Sequence, residues 1–128
     1  MSDYQRKRTQ QKNLRRKRSH LRLRKRLRGT AERPRLAVRK SLRYVYAQLI
    51  DDDAGKTLAQ ANSREGVVQE GLETSAGSRQ AARKVGQVLA ERAKEQGVEQ
   101  VVFDRGGFIF HGKIREIAEG AREKGLGF

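Results

Sequence analysis

Residues 13–30, NLRRKRSHLRLRKRLRGT, hold nine Lys or Arg side chains and no acidic one. Side chains of that type at that density do one kind of chemistry well. They neutralise phosphates, each neutralised phosphate releases condensed counterion, and affinity for a polyanion climbs as salt falls. Arg outnumbers Lys in the segment, which favours forked contacts to phosphate and stacking on bases. Arg15, Arg16, Lys17, Arg18, Arg22, Arg24, Arg26 and Arg28 are therefore candidate phosphate contacts. A second set surrounds RYVYAQL. There Tyr44 and Tyr46 alternate onto one face, while Arg35, Arg39, Lys40, Ser41 and Arg43 lie on the preceding strand and turn. Rings interleaved with Arg on a sheet can stack bases and grip phosphates, although tyrosines at this spacing can equally pack beneath a helix. A third set, Arg105, His111 and Lys113, falls on FDRGGFIFHGKI, a Gly-containing loop ahead of a helix N-terminus, where backbone NH groups favour phosphate.

Catalytic chemistry finds little to work with. Asp51–Asp53 in DDDAGK could suggest a divalent ion, yet a turn is sufficient reason for them, since aspartates bond local NH groups. Asp104, at the end of a strand, invites comparison with nucleases of ribonuclease-H-like architecture, which need a metal-binding Asp on their first strand. The first strand here offers Arg35, Arg39, Lys40 and Ser41 instead. A cation there repels a metal. His20 and His111, without cysteine or a matching acid, make neither a zinc set nor a general base. The expectation is no catalytic residue, no metal and no cofactor.

The elements that must carry these groups follow from charge and periodicity. Residues 1–40 hold 17 Lys/Arg against Asp3 and Glu32, a balance of +15, while residues 41–128 hold 13 of each sign. A basic arm over 1–30 is thus joined to a domain over 31–128 whose charges balance beyond residue 40, as expected of a chain facing a polyanion. Leu14 and Leu21 are seven apart, with Leu27 near the same stripe, so a helical arm would show a thin apolar seam. Like charges four apart oppose that helix in free solution, and the expectation is an arm that frays until it is counter-charged. Beyond Pro34, residues 35–41, 43–51 and 57–63 alternate as strands and 64–77 as a loop with a helical turn. A helix over 78–97 is capped by Ser78, a strand follows over 98–104, and a last helix runs over 113–125. The reading is α/β: a basic helix or arm, then a β-β-β-α-β-α mixed sheet whose fourth strand lies parallel beside the first. There is no apolar run long enough to cross a membrane, and the lack of cysteine suits a reducing compartment such as cytosol.

At RYVYAQLIDDDAGKTLAQANS, FDRGGFIFHGKI and the terminal AEGAREKGLGF the chain closely resembles the bacterial large-subunit ribosomal protein eighteen family. The resemblance runs in order over about residues 30–128. Phe103-Asp104-Arg105, then His111-Gly112, then an ending in Gly-Leu-x-Phe carry its specificity. Where this chain has Phe110 and Lys113 the family often has Tyr and Arg. The resemblance implies the translational-machinery-component variant of the ribonuclease-H-like architecture and a structural role without catalysis. It also implies 5S rRNA, large-subunit rRNA and neighbouring ribosomal proteins as partners, in the central protuberance of the cytoplasmic ribosome, with no membrane and no small-molecule substrate.

Overall fold

The computed structural model describes residues 2–24 and 27–128, and of Leu23 and Arg24 the backbone alone. Alternation over 35–51 becomes a hairpin of β1 (Arg35–Lys40) and β2 (Val45–Asp51), antiparallel, with Leu36 opposite Leu49 and Val38 opposite Ala47. The aspartate turn then returns the chain as β3 (Lys56–Asn62), antiparallel to β2. Asp51 makes that turn as its residue type suggests, its Oδ1 accepting from the NH groups of Asp53 and Ala54 at 3.0 and 3.2 Å. After a four-residue turn of helix, α2 (Gly66–Gln69), come α3 (Arg79–Glu95), β4 (Val102–Asp104) and α4 (Gly112–Glu123). The sheet order is β3-β2-β1-β4, with β4 parallel to β1, so the mixed α/β reading holds in order and topology.

Helices α3 and α4 cover one face of the sheet. Leu36, Val45, Leu49, Val85, Leu89, Ile114 and Ile117 are fully buried between the layers, and each large apolar side chain removed from water in this way contributes about 1.5–3 kcal/mol. Ser78 caps α3 by accepting from the Ala81 NH. The helices cross with their backbones touching. A methyl group on Gly86 would overlap the Ile117 carbonyl oxygen, and one on Gly120 would overlap that of Arg83. The opposite face of the sheet, with Arg35, Ala37 and Arg39 on β1 and Tyr46, Gln48 and Ile50 on β2, has neither α3 nor α4 over it.

Two expectations are corrected. The strand expected over 98–104 begins only at Val102, because the Val98 NH closes the end of α3 at Ala93 and residues 99–101 pair with the chain's last residues instead. The Val101 NH donates to the Gly127 carbonyl and the Gly127 NH to that of Glu99, while Leu126 is buried. The arm, expected to fray without a counter-charge, is a continuous helix, α1 (Asp3–Arg24). A reciprocal cap starts it, Ser2 Oγ accepting from the Gln5 NH and Gln5 Oε1 from the Ser2 NH, both at 3.2 Å. The apolar seam read from the leucines is not buried, for Leu14 and Leu21 are 51% and 66% exposed. The face of α1 that meets the rest of the chain carries Arg16 and His20.

Candidate nucleic-acid interface

Two carboxylates and one guanidinium organise the approach of the basic segment. Arg35 donates from Nε and Nη2 to the two oxygens of Asp52 at 3.0 and 3.1 Å, and from Nη1 to Asp104 Oδ2 at 2.8 Å. These bonds, those to Asp52 foremost, raise the Arg35 pKa against the lowering effect of burial. Asp52 also accepts from the Gly29 NH at 2.7 Å, and its own NH donates to the Gly29 carbonyl, while Arg28 reaches Asp53 at 2.7 Å. The aspartate turn is thus the anchor for the segment entering β1. Asp104 has 1% of its side chain exposed. Burial alone would push its carboxyl up, but the Gly106 NH, His20 and Arg35 outweigh that and hold it below the usual carboxylate range.

Helix α1 meets the domain at the loop after β4. His20 Nε2 lies 3.1 Å from Asp104 Oδ2. Four residues earlier, the Arg16 guanidinium sits 4.8 Å from the centre of the Phe108 ring, with Lys40 5.5 Å from the same ring. Between them Gly107, at φ 78°, comes so close that a methyl group there would overlap the Arg16 carbonyl oxygen. The paired glycines allow the close backbone approach their type suggests, Gly106 to the Val38 carbonyl of β1 and Gly107 to the basic helix. Arg16, Lys17, His20, Arg39, Lys40 and Phe108 line the resulting cleft of about 310 Å³.

Arg39 lies over the Tyr46 ring at 4.5 Å on the sheet's open face, so Tyr46 does not pack beneath a helix. Tyr44, just ahead of β2, is half-buried under the guanidinium of Arg64, 5.3 Å away. Ser41 is engaged locally, its hydroxyl accepting from the Tyr44 NH at 3.1 Å. Arg43 is exposed and Arg105 half-buried. Further round, His111 stands ahead of the first turn of α4 and lines a cleft of about 240 Å³ with Arg79, Arg83 and Arg115. Arg83 is engaged there by Glu123 and Glu116, which raise its pKa. Lys113 is half-buried in the first turn of α4.

The expected contacts therefore divide. Arg15, Lys17, Arg18 and Arg22 are exposed on α1. Arg16 joins Arg39 and Lys40 around the cleft. The Arg24 side chain and Arg26 lie outside the described residues. Arg28 is exposed but paired with Asp53. Arg35 differs from the rest, since three of its donors are bonded to carboxylates and 11% of its side chain is exposed. It is an internal tie, which its position in an alternating basic strand does not reveal, because its partners stand 17 and 69 residues away. His111 and Lys113 belong to the helix end rather than to the sheet face. Arg64, Arg79 and Arg115 are cations that sequence reasoning passed over, each hidden in a segment of balanced charge. Among the described residues no group of three or more His, Asp or Glu side chains could hold a metal ion. The carboxylates that a nuclease would pair, Asp52 and Asp104, are bridged by Arg35 instead.

A mixed sheet covered by helices on one side, with cations and rings on the other and a basic helix docked at its edge, defines an α/β protein built to meet a polyanion. Residues 9–128 match the family described as ribosomal L18 of archaea, bacteria, mitochondria and chloroplast, and the chain belongs to that family. It is 54% identical over 113 residues to the large ribosomal subunit protein uL18 of Clostridium botulinum strain Langeland, covering 88% of this chain and 92% of the relative. It is 52% identical over 122 residues to the uL18 of Kosmotoga olearia, covering 95% and 98%. The uL18 of Dictyoglomus thermophilum is 54% identical over 113 residues, covering 88% and 92%.

Proposed function

We propose that this chain is a non-catalytic structural constituent of the large ribosomal subunit, in the cytoplasmic ribosome. It binds 5S rRNA and helps fasten it to the large-subunit rRNA in the central protuberance, beside neighbouring ribosomal proteins. Residues 1–30 act as a phosphate-gripping arm and residues 31–128 as the domain that selects the RNA. Arg15, Arg16, Lys17, Arg18, Arg22, Arg24 and Arg26 take phosphates along A-form grooves, where phosphates and 2′-hydroxyls are the accessible handles. Arg39, Lys40, Arg43, Tyr44, Tyr46 and Arg105 supply the shaped surface, with His111 and Lys113 at the start of α4 meeting a separate stretch of the same RNA. Arg35 and Arg28 position their neighbours.

The observation that carries the reading is the continuity of cations from α1 across Phe108 to Arg39 and Lys40, in a chain matched to this family over residues 9–128. The absence of catalysis is supported by Asp104, whose oxygens are taken by Arg35, His20 and the Gly106 NH. Filter binding in one buffer tests the proposal. A 1:1 complex with 5S rRNA, tighter than with an unrelated structured RNA of equal length, is expected. Equal affinity for both would reject the selective role.

A further inference from the structure

We propose that Asp104 and Gly107 are positioning residues for the RNA interface, holding α1 against the domain so that cations of both regions form one two-walled cleft for a phosphodiester backbone. The inference rests on the RNA-binding reading above and adds to it a fixed direction for the basic helix. Among the described side chains of α1 apolar burial does not provide the attachment, since Leu14 and Leu21 face solvent. What holds α1 is polar and steric. Among the described residues, the buried Asp104 carboxylate is bonded by Arg35 and the Gly106 NH from the domain and by His20 from α1. One turn away the α1 backbone lies against Gly107, where no side chain fits. Phe108 then takes a cation from each side, Arg16 from α1 and Lys40 from β1.

The cleft between these walls brings Arg16 and Lys17 opposite Arg39 and Lys40. Four like charges facing one another repel, and a free arm would swing away from the domain. Asp104 offsets that repulsion from beneath, and its depressed pKa keeps it anionic at neutral pH. The second anchor, Asp52 on the backbone of Gly29, fixes the other end of the basic segment. A cleft assembled before the RNA arrives spares the ordering cost of assembling it on the RNA.

The chain has no cysteine, so nitroxide labels at K12C and Q48C report the distance between α1 and the open sheet face in the full-length, RNA-free protein. A single narrow distribution is expected, broadened by Gly107→Ala and by His20→Ala. Both variants should bind 5S rRNA about tenfold more weakly at fixed salt. The slope of log affinity against log salt should stay unchanged for Gly107→Ala, because no cation is lost. His20→Gln keeps a donor toward Asp104 and should restore both distance and affinity. If Gly107→Ala lowers the unfolding temperature of the domain, His20→Ala, whose substituted atoms lie outside it, decides. A broad distribution in the unsubstituted protein overturns the proposal, as does broadening in the variants with affinity unaltered, or distances that no variant changes. Loss of 5S preference by the unsubstituted chain would overturn the RNA reading instead, and the distance measurement, made without RNA, would still stand.

Discussion

Helix α3 has 17 residues and buries eight of them, Ala81 to Ala93, against the sheet and α4. Helix α1 is five residues longer and buries none of its described side chains. The first is folded by its apolar face, and several of its charges are paired within the chain, as Arg92 is with Glu65 at 2.8 Å and Arg83 with Glu116 at 2.9 Å. The second is capped at Ser2 and moored at Arg16 and His20, and carries a row of free cations outward. The contrast separates two tasks that a single composition figure merges. Net charge says that a polyanion is near, and only the distribution of burial says which part meets it and which part supports.

The widest break in that comparison comes from removing residues 1–30, which hold 13 of the 30 Lys and Arg. Affinity for 5S rRNA is expected to fall about a thousandfold near 0.1 M salt, with a flatter salt slope. The core cluster begins at Leu36, so the urea midpoint of the remainder should barely change; a collapse of the fold would show that the two regions are not separable. The converse variant, Ile117→Ala, should cost about 3 kcal/mol of unfolding free energy, measured by urea titration at unchanged slope. Its affinity per folded molecule should match that of the parent.

Acid titration probes the boundary between the regions. Asp104 and Glu65 both have depressed folded pKa values, Glu65 through its bond from Arg92 first. Their stabilisation is fully present above the unfolded carboxylate range near pH 4 and is lost as pH falls through the lower folded values. Thermal midpoints should therefore decline below about pH 4.5, and Asp104→Asn should flatten the decline. The smallest effect sharpens the picture of α1. Arg18→Ala should weaken binding only about threefold, equally for any RNA, and reduce the salt slope by about one.

Much of the domain is legible along the chain because its cues are local. Alternation gives β1, β2 and β3 their inward residues, Ser78 and the pair Gly125-Leu126 mark helix ends, and DDDAGK reads as the turn it is. The Ser2–Gln5 cap is also a local cue, in SDYQ, and one that an expectation built on charge repulsion along the arm does not contain. What stayed illegible depends on distant partners. Residues 98–101 look like a strand, but the tail at Gly127 takes the hydrogen bonds of Glu99 and Val101. Arg35 looks like a phosphate ligand until Asp104 is found beside it. Gly107 has room for α1 only because the loop and the helix meet in space.

The crossing of α3 and α4 has a consequence for the far side of the sheet. Because main chain rests on main chain at Gly86 and Gly120, no flexible side chain lies at those two contacts to absorb an error by changing rotamer. Any bulk added at either glycine forces the pair apart and tilts the strands seated on it. Arg39 and Tyr46 would then be mis-aimed by a mutation on the opposite flank, altering which RNA is favoured while every cation is still present.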